Sequence, residues 1–419
     1  MNDTYAHRIG ETSVVVRGPD GRPLADRVVT VQQRRHAFSF GNIGFDFVSL
    51  VGGPGDEASA GVFGGAAGLG LETLAAEFTH LFNTATLPFY WGGYEPVRGR
   101  TDRQRLEATA RWLVGRGVTV KGHPLVWHTV QPSWLLGLPA GEVERLLRAR
   151  VRELVSGFAG LIGTWDAINE AVIMPVFANG DNAITPLARS KGRIAMVRLA
   201  FEEARAADPG ATLLINDFDL SSAYECLIEG VLEAGVRIDA IGLQTHMHQG
   251  YRGEEYMGRM LDRFARYGLP LHLTESTLVS GHLMPSEIED LNDYRIPSWP
   301  STEEGEARQA DEIVRHYRSL VAHPAVAAIN YWGITDNGSW LGAPVGLLRS
   351  DGSRKPSYEA LESLIKGEWW LPPTEMRTDA SGAIRVRGFH GEYEVDGMPF
   401  TIGASGAPVS SGTGAPSVR

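Results

Sequence analysis

The stretch Thr164-Trp-Asp-Ala-Ile-Asn-Glu170 closes an apolar run on an adjacent amide and carboxylate, and an amphipathic run, PLARSKGRIAMVRLAFEEARAAD (186–208), follows it. A short apolar segment ended by polar residues reads as a buried strand, and apolar positions recurring every three to four residues read as a helix. The same alternation recurs on both sides of this unit. Before it, FSFG (38–41) precedes the helix LETLAAEFTH, FNTATLPFYW (82–91) precedes RQRLEATARWLVGRG, and VTVKGHPLVW (118–127) precedes EVERLLRARVRELVSGF. After it, ATLLINDFD (211–219) precedes AYECLIEGVLEAG. IDAIGLQTH, LPLHLTE and AAINYWGIT continue the series, with helices near 255–266, 303–321 and 357–366. Eight such units predict a closed parallel (β/α)8 barrel, in which chemistry sits at the C-terminal ends of the strands.

The flanks read differently. SVVVRG and RVVTVQQ surround Pro19-Asp20-Gly21-Arg22, a turn signal, so residues 1–35 form an N-terminal β extension of two strands around that turn. The barrel spans 36–366, and residues 367–402 are again β-like, with Asp379-Ala-Ser-Gly382 as a turn and strands able to pair with the N-terminal ones. The Gly-, Ser- and Pro-rich segment 403–419 reads as a disordered tail. Residues 51–70, rich in Gly and Ala without periodicity, read as a long flexible loop, and 278–302 as an excursion able to wall the site.

The 419 residues carry a formal net charge of −11 and no basic tract, which argues against nucleic acid as a partner. No apolar run reaches membrane-spanning length, and no leader pattern opens the chain, so a cytoplasmic location is expected. The single cysteine, Cys226, reads as a small helix residue.

Several predicted strands stop at chemistry-bearing side chains. GHPLVWHTVQPSW presents His123, Trp127 and His128; TWDAINE presents Asn169 and Glu170; LLINDFD presents Asn216. IGLQTHMH presents Gln244, His246 and His248, LTEST presents Glu275, and YWGITDNGSW presents Trp332 and Trp340. Taken singly, each Glu is an ordinary helix-start residue. As a pair on two strand ends, they are what hydrolysis of a glycosidic bond with retention requires, one carboxyl as acid and base, the other as nucleophile. Flat apolar rings and fixed hydrogen-bonding groups around them suit a carbohydrate. Trp165, five residues before Glu170, reads as core. The histidines allow a zinc reading through His123, His128, His246 and His248. It is set aside because other ligand spacing is lacking and the alternating pair His246 and His248 is expected to point one ring each way; no metal or cofactor is implied.

These motifs, in this order, resemble family 10 of the glycoside hydrolases, best known for endo-β-1,4-xylanases, and the likeness runs from about His36 to Lys366, closing with DGSRKPSYEAL (351–361). The resemblance implies a retaining hydrolase with Glu170 as acid/base and Glu275 as nucleophile. It implies Asn169 on the 2-hydroxyl, His246 and Gln244 beside the nucleophile, and His123, Trp127, Trp332 and Trp340 around the cleaved sugar. His128, Asn216, Tyr90 and Trp91 are supporting residues.

Two departures bear on specificity. The family's second strand ends in a Glu-Asn pair and a Lys that bind a neighbouring sugar; here FNTATLPFYWGGYEP keeps Phe82, Asn83, Trp91, Glu95 and Pro96 but places Leu87, Pro88 and Tyr90 where the polar set is expected. Two residues beyond the nucleophile, Thr277 stands where the family has Asp. Xylo-oligosaccharide or another short β-glycoside is therefore the expected substrate, with a small glycoside of apolar aglycone as the alternative. From other classes, a non-catalytic saccharide-binding barrel and a metal-dependent amidohydrolase are the competing readings.

Overall fold

The computed structural model describes residues 3–53 and 65–403. Residues 54–64 of the expected loop and the expected disordered tail from 404 lie outside the described residues. The chain divides into two compact units, one of residues 40–359 and one made from both termini, 1–39 with 360–419.

The larger unit is built on eight parallel strands, β1 (Ser39–Ile43), β2 (Thr84–Pro88), β3 (Thr119–His123), β4 (Ile162–Asn169), β5 (Thr212–Asp217), β6 (Ala240–Met247), β7 (Leu271–Leu278) and β8 (Val326–Tyr331). They close in sequence order, β8 beside β1, so the barrel expected from the alternation is the one that forms. Helices between them bury the stripe that their periodicity announces. Arg103–Val114 turns Leu106, Ala110 and Leu113 inward, and Ala140–Gly157 does the same with Val143, Leu147, Val151 and Leu154. The helix Glu303–Ala322 starts where the Thr302 hydroxyl accepts the Gly305 N–H at 3.0 Å, with Glu303, Glu304 and Glu306 in its first turn.

Close packing inside the wall depends on missing side chains. Trp165 on β4 is fully buried against Phe89, ring centroids 4.9 Å apart, so it is the core residue expected. It lies over Gly122 of β3, where a Cβ would stand 2.1 Å from the indole. Gly242 of β6 likewise leaves room for the Asn216 amide, whose oxygen would be 2.4 Å from an added Cβ.

The terminal unit pairs N-terminal with C-terminal strands, as expected. The turn at 18–22 forms, with Gly21 N–H donating to the Gly18 carbonyl at 2.9 Å, but the strands around it are not a hairpin. Ile9–Val15 pairs antiparallel with Ala383–Phe389, whereas Val28–His36 lies between Thr374–Arg377 and Gly391–Val395, with Met398–Ile402 at the edge. The connection from Val16 to Arg27 exceeds the about two to five residues of a tight hairpin, so register comes from distant partners instead. Val16, Val29, Val31, Ile384, Val386, Tyr393 and Val395 form their common core.

The loop expected over 51–70 is also shorter: a helix, Asp46–Gly52, runs into it and a 3-10 turn, Ala66–Leu69, lies at its far side. Asp46 joins the two by accepting the Ala66 N–H at 2.9 Å, a tertiary bond with no trace in periodicity. The excursion after β7 packs Val279, Met284 and Trp299 onto Ala343 and Val345 of the segment after β8. Cys226 is an exposed residue of helix Ser222–Glu233, and no described helix is long and apolar enough to cross a membrane.

Substituting Gly122→Ala forces a methyl into the Trp165 ring. Chemical denaturation should show a loss of about 1–3 kcal/mol, the usual cost of overpacking. An unchanged midpoint would mean that the β3–β4 contact has slack.

Candidate active site

Strand β4 stops with Asn169 N–H bonded to the Val126 carbonyl at 2.9 Å and Glu170 N–H bonded to the Asn216 carbonyl at 2.8 Å. Glu170 itself sits in the left-handed region, φ 56°. That conformation costs an ordinary residue roughly 1–2 kcal/mol, so the neighbouring strand must hold it. Beyond the Asn216 carbonyl, the Asp217 carboxylate accepts the Val172 N–H at 3.0 Å and fixes the turn that follows.

A continuous chain of side-chain hydrogen bonds then joins the two glutamates. Asn169 Nδ2 donates to Glu170 Oε1 at 3.1 Å, and Asn169 Oδ1 accepts from Asn216 Nδ2 at 2.8 Å and Gln244 Nε2 at 3.0 Å. The same Asn216 Nδ2 donates to Glu275 Oε1 at 3.0 Å, while Thr274 Oγ1 donates to Asn216 Oδ1 at 2.6 Å. On the outer side, Trp127 Nε1 donates to Glu170 Oε2 at 2.8 Å, and His246 Nε2 lies 3.1 Å from Glu275 Oε2. The expected Asn169, Asn216, Gln244, His246 and Trp127 are thus brought to one place.

The surroundings drive the two carboxyls apart. Burial pushes Glu170 up to about 8; the Trp127 N–H opposes this, and the charges of Asp217 and Glu275 add to it. Burial also works on Glu275, but the His123 imidazole and then His246 outweigh it and hold that group below the ordinary carboxylate value. One carboxyl is therefore protonated at neutral pH and the other ionised, which equips the pair to give a proton and to attack an electrophilic carbon.

His123 Nε2 stands 4.0 Å from Glu275 Oε1, and its Nδ1 is 2.7 Å from Asp166 Oδ2, which also takes Lys121 Nζ at 2.8 Å. Asp166 and Lys121 escaped the sequence reading, as did Asp217. Their signal was a charge inside an apolar strand, or at its last residue, where burial demands a partner. Thr277, in place of the family's Asp, brings Oγ1 to 3.4 Å from His246 Nδ1, so it offers a weak neutral contact.

The aromatic residues fall into three groups. Trp332 and Tyr90 meet His123, and Tyr90 meets Trp127, at centroid distances of 5.2, 5.6 and 5.5 Å. Trp340 covers His246 at 4.9 Å and His248 at 5.2 Å. Trp91 stands away from the glutamates: it donates to Glu95 Oε2 at 3.0 Å and packs on Trp134 and Arg150, supporting the chain after β2 from behind.

Two expectations need adjustment. His246 and His248 do not point opposite ways; residues two apart on an extended chain share a face, and their rings lie 5.9 Å apart against the same Trp340. Leu87 does not face the site, because it lies with Ala85 and Phe47 around Gly44 while Thr86 turns inward to Asn330. His128 is buried with its ring 4.4 Å from Phe177 and Nε2 4.0 Å from Glu170 Oε2, and burial pushes it down to about 4. Among the described residues no group of three His, Cys, Asp or Glu is placed to hold a metal ion.

Residues 71–364 match the model of glycosyl hydrolase family 10. The chain belongs to that family. It is 31% identical over 292 residues to endo-1,4-beta-xylanase B of Thermotoga neapolitana, covering 66% of this chain and 78% of that one. It is 27% identical to a beta-1,4-xylanase of Dictyoglomus thermophilum, of whose length it spans 62%. The crystal structure of xylanase 10B from Thermotoga petrophila in complex with xylobiose superposes with a TM-score of 0.62 at 25% identity, over 79% of this chain and 95% of that one. As a family 10 member the chain is a retaining glycoside hydrolase, and its substrate is a carbohydrate.

A pKa raised above the ordinary value keeps Glu170 protonated through neutrality and releases its proton as pH rises through about 8. With a glycoside whose leaving group needs protonation, kcat/KM should therefore fall on the alkaline side near that pH. Asp217→Asn removes a like charge and should move the limb to lower pH while keeping an acceptor for Val172. A pH–rate profile in which the limb stays put would remove Asp217 from the account.

Proposed function

We propose that the chain cleaves β-1,4-xylosidic or closely similar β-glycosidic bonds in short substrates, with Glu170 as acid/base and Glu275 as nucleophile. The observation that carries this reading is the opposite protonation of two carboxyls held in one hydrogen-bonded chain. In the first step Glu275 attacks the anomeric carbon, the bond to the leaving oxygen breaks, and that oxygen takes the Glu170 proton. In the second, the ionised Glu170 takes a proton from water, whose oxygen displaces Glu275 from the same face that the leaving group left.

The surrounding groups have roles in keeping with this. Asn169 Oδ1 is already held by two amides, so its Nδ2 is the group available to pass from Glu170 to a sugar 2-hydroxyl. His246 orients the Glu275 carboxylate, and Trp127 orients that of Glu170. The relatives named as xylanases support xylose as the sugar. A small glycoside with an apolar aglycone is the second reading. It is favoured by Phe218, 47% exposed directly after β5 and beside the Asn216–Asp217 pair that holds the Glu170 turn.

Glu170→Ala should cost on the order of 10²–10⁴ in kcat/KM when the leaving group must be protonated, and much less with a dinitrophenyl leaving group. Azide should restore turnover of this variant with retained configuration. Glu275→Ala should abolish turnover of unactivated substrates, and azide should give no retained product. Equal losses for Glu170→Ala on both leaving groups would move the acid elsewhere.

A further inference from the structure

The ends of β8, β1, β2 and β3 carry a closed circuit of rings. Phe45 meets Tyr90 edge-on at 6.1 Å and Trp332 at 5.6 Å, and His123 meets the same two at 5.6 and 5.2 Å. Their exposures are 5% for Phe45, 7% for Tyr90, 1% for His123 and 4% for Trp332, so the four rings are packed against one another out of solvent. Ile43 and Val130 join the same cluster. Val130 is a β-branched residue at φ 44°, pinned by the Gly92 N–H on its carbonyl at 2.7 Å. Side chains of that kind avoid this region, so the packing around the cluster dictates its backbone.

The position of this circuit follows from the barrel. With eight strands closed in sequence order, β1 lies across the mouth from β5 and β8 across from β4. Glu170, at the end of β4, must face the leaving oxygen, so the aglycone lies toward β4 and β5. The sugar that keeps the anomeric carbon then extends the other way, toward the circuit. One indole spans that interval. The Trp127 indole touches Glu170 at one end, 2.8 Å, and Tyr90 at the other, 5.5 Å between centroids. On the nucleophile side the His123 imidazole lies between Glu275 and both Tyr90 and Trp332, and His246, bonded to Glu275, meets the same Trp332 at 6.3 Å.

We infer that the glycone side of the cleft ends at the Phe45–Tyr90–Trp332 wall and admits a single sugar, so that the enzyme removes monosaccharide units from the non-reducing ends of short β-glycosides. This rests on the retaining-hydrolase reading above, and it differs from the internal cleavage that the names of its relatives describe. Tyr90 is the specificity-determining residue, since it touches Phe45, His123 and Trp127 together.

Two substrates given to the full-length enzyme decide the matter. Xylotetraose labelled at its reducing end should yield xylose and labelled xylotriose as the first products. Nitrophenyl β-xylobioside should release nitrophenol only after a lag, because the outer xylose must leave first, whereas nitrophenyl β-xyloside should release it at once. Xylobiose among the earliest products, or nitrophenol from the xylobioside without a lag, overturns the one-sugar pocket and leaves the retaining reading intact. A folded enzyme that turns over none of these substrates overturns the xylosidic reading and the one-sugar pocket with it. Tyr90→Ala, or Phe45→Ala if the first variant does not fold, should raise the share of xylobiose at least tenfold. A folded variant with an unchanged product ratio removes the wall as its cause.

Discussion

Two carboxyl groups withdrawn from water at the mouth of one barrel repel each other, and each is costly to ionise there. The structure resolves this by making them unequal. Glu275 receives the Asn216 amide and lies against two imidazoles, which stabilise its charge, while Glu170 has the Trp127 and Asn169 N–H groups but also the nearby Asp217 and Glu275 charges. Asn169 and Asn216 tie the unequal pair together, and the rest of the mouth is arranged around that link. Gly242 lets the Asn216 amide in, and strand β5 supplies the carbonyl and carboxylate that hold Glu170 in its left-handed conformation.

The histidines show how the same logic extends outward. His123 is held on its far side by Asp166, whose carboxylate also takes Lys121 of the adjacent strand β3. His246 has a weaker partner, the Thr277 hydroxyl, and is covered by Trp340. Its orientation therefore depends more on packing than on charge. A hydroxyl at Thr277 in place of a carboxylate leaves the His246 contact to Glu275 in place but removes one negative charge from the surroundings of Glu275.

Specificity is decided at the opposite end of the mouth. Where the family carries polar side chains that grip a second sugar, this chain packs rings edge to face, an arrangement with favourable ring electrostatics. The chemistry of bond cleavage and the length of substrate that reaches it are thus set by different strands, β4, β5 and β7 for the first and β8, β1 and β2 for the second.

Much of this is legible in the chain alone. The barrel follows from alternating periodicities, because strand and helix repeat with different spacing, and the catalytic candidates follow from strands that stop at Glu170 and Glu275. Chemical type at a strand end is a local property, so sequence reveals it. What it could not reveal was direction and partnership. Leu87 faces outward and Tyr90 inward, and His246 and His248 share a face. Asp166, Lys121 and Asp217 gain meaning only from neighbours distant in sequence. The order of residues by itself determined the fold class, the family and the candidate pair Glu170 and Glu275; the protonation of that pair and the ring wall beside it were decided by tertiary structure, because burial and ring contacts exist only once distant strands are side by side.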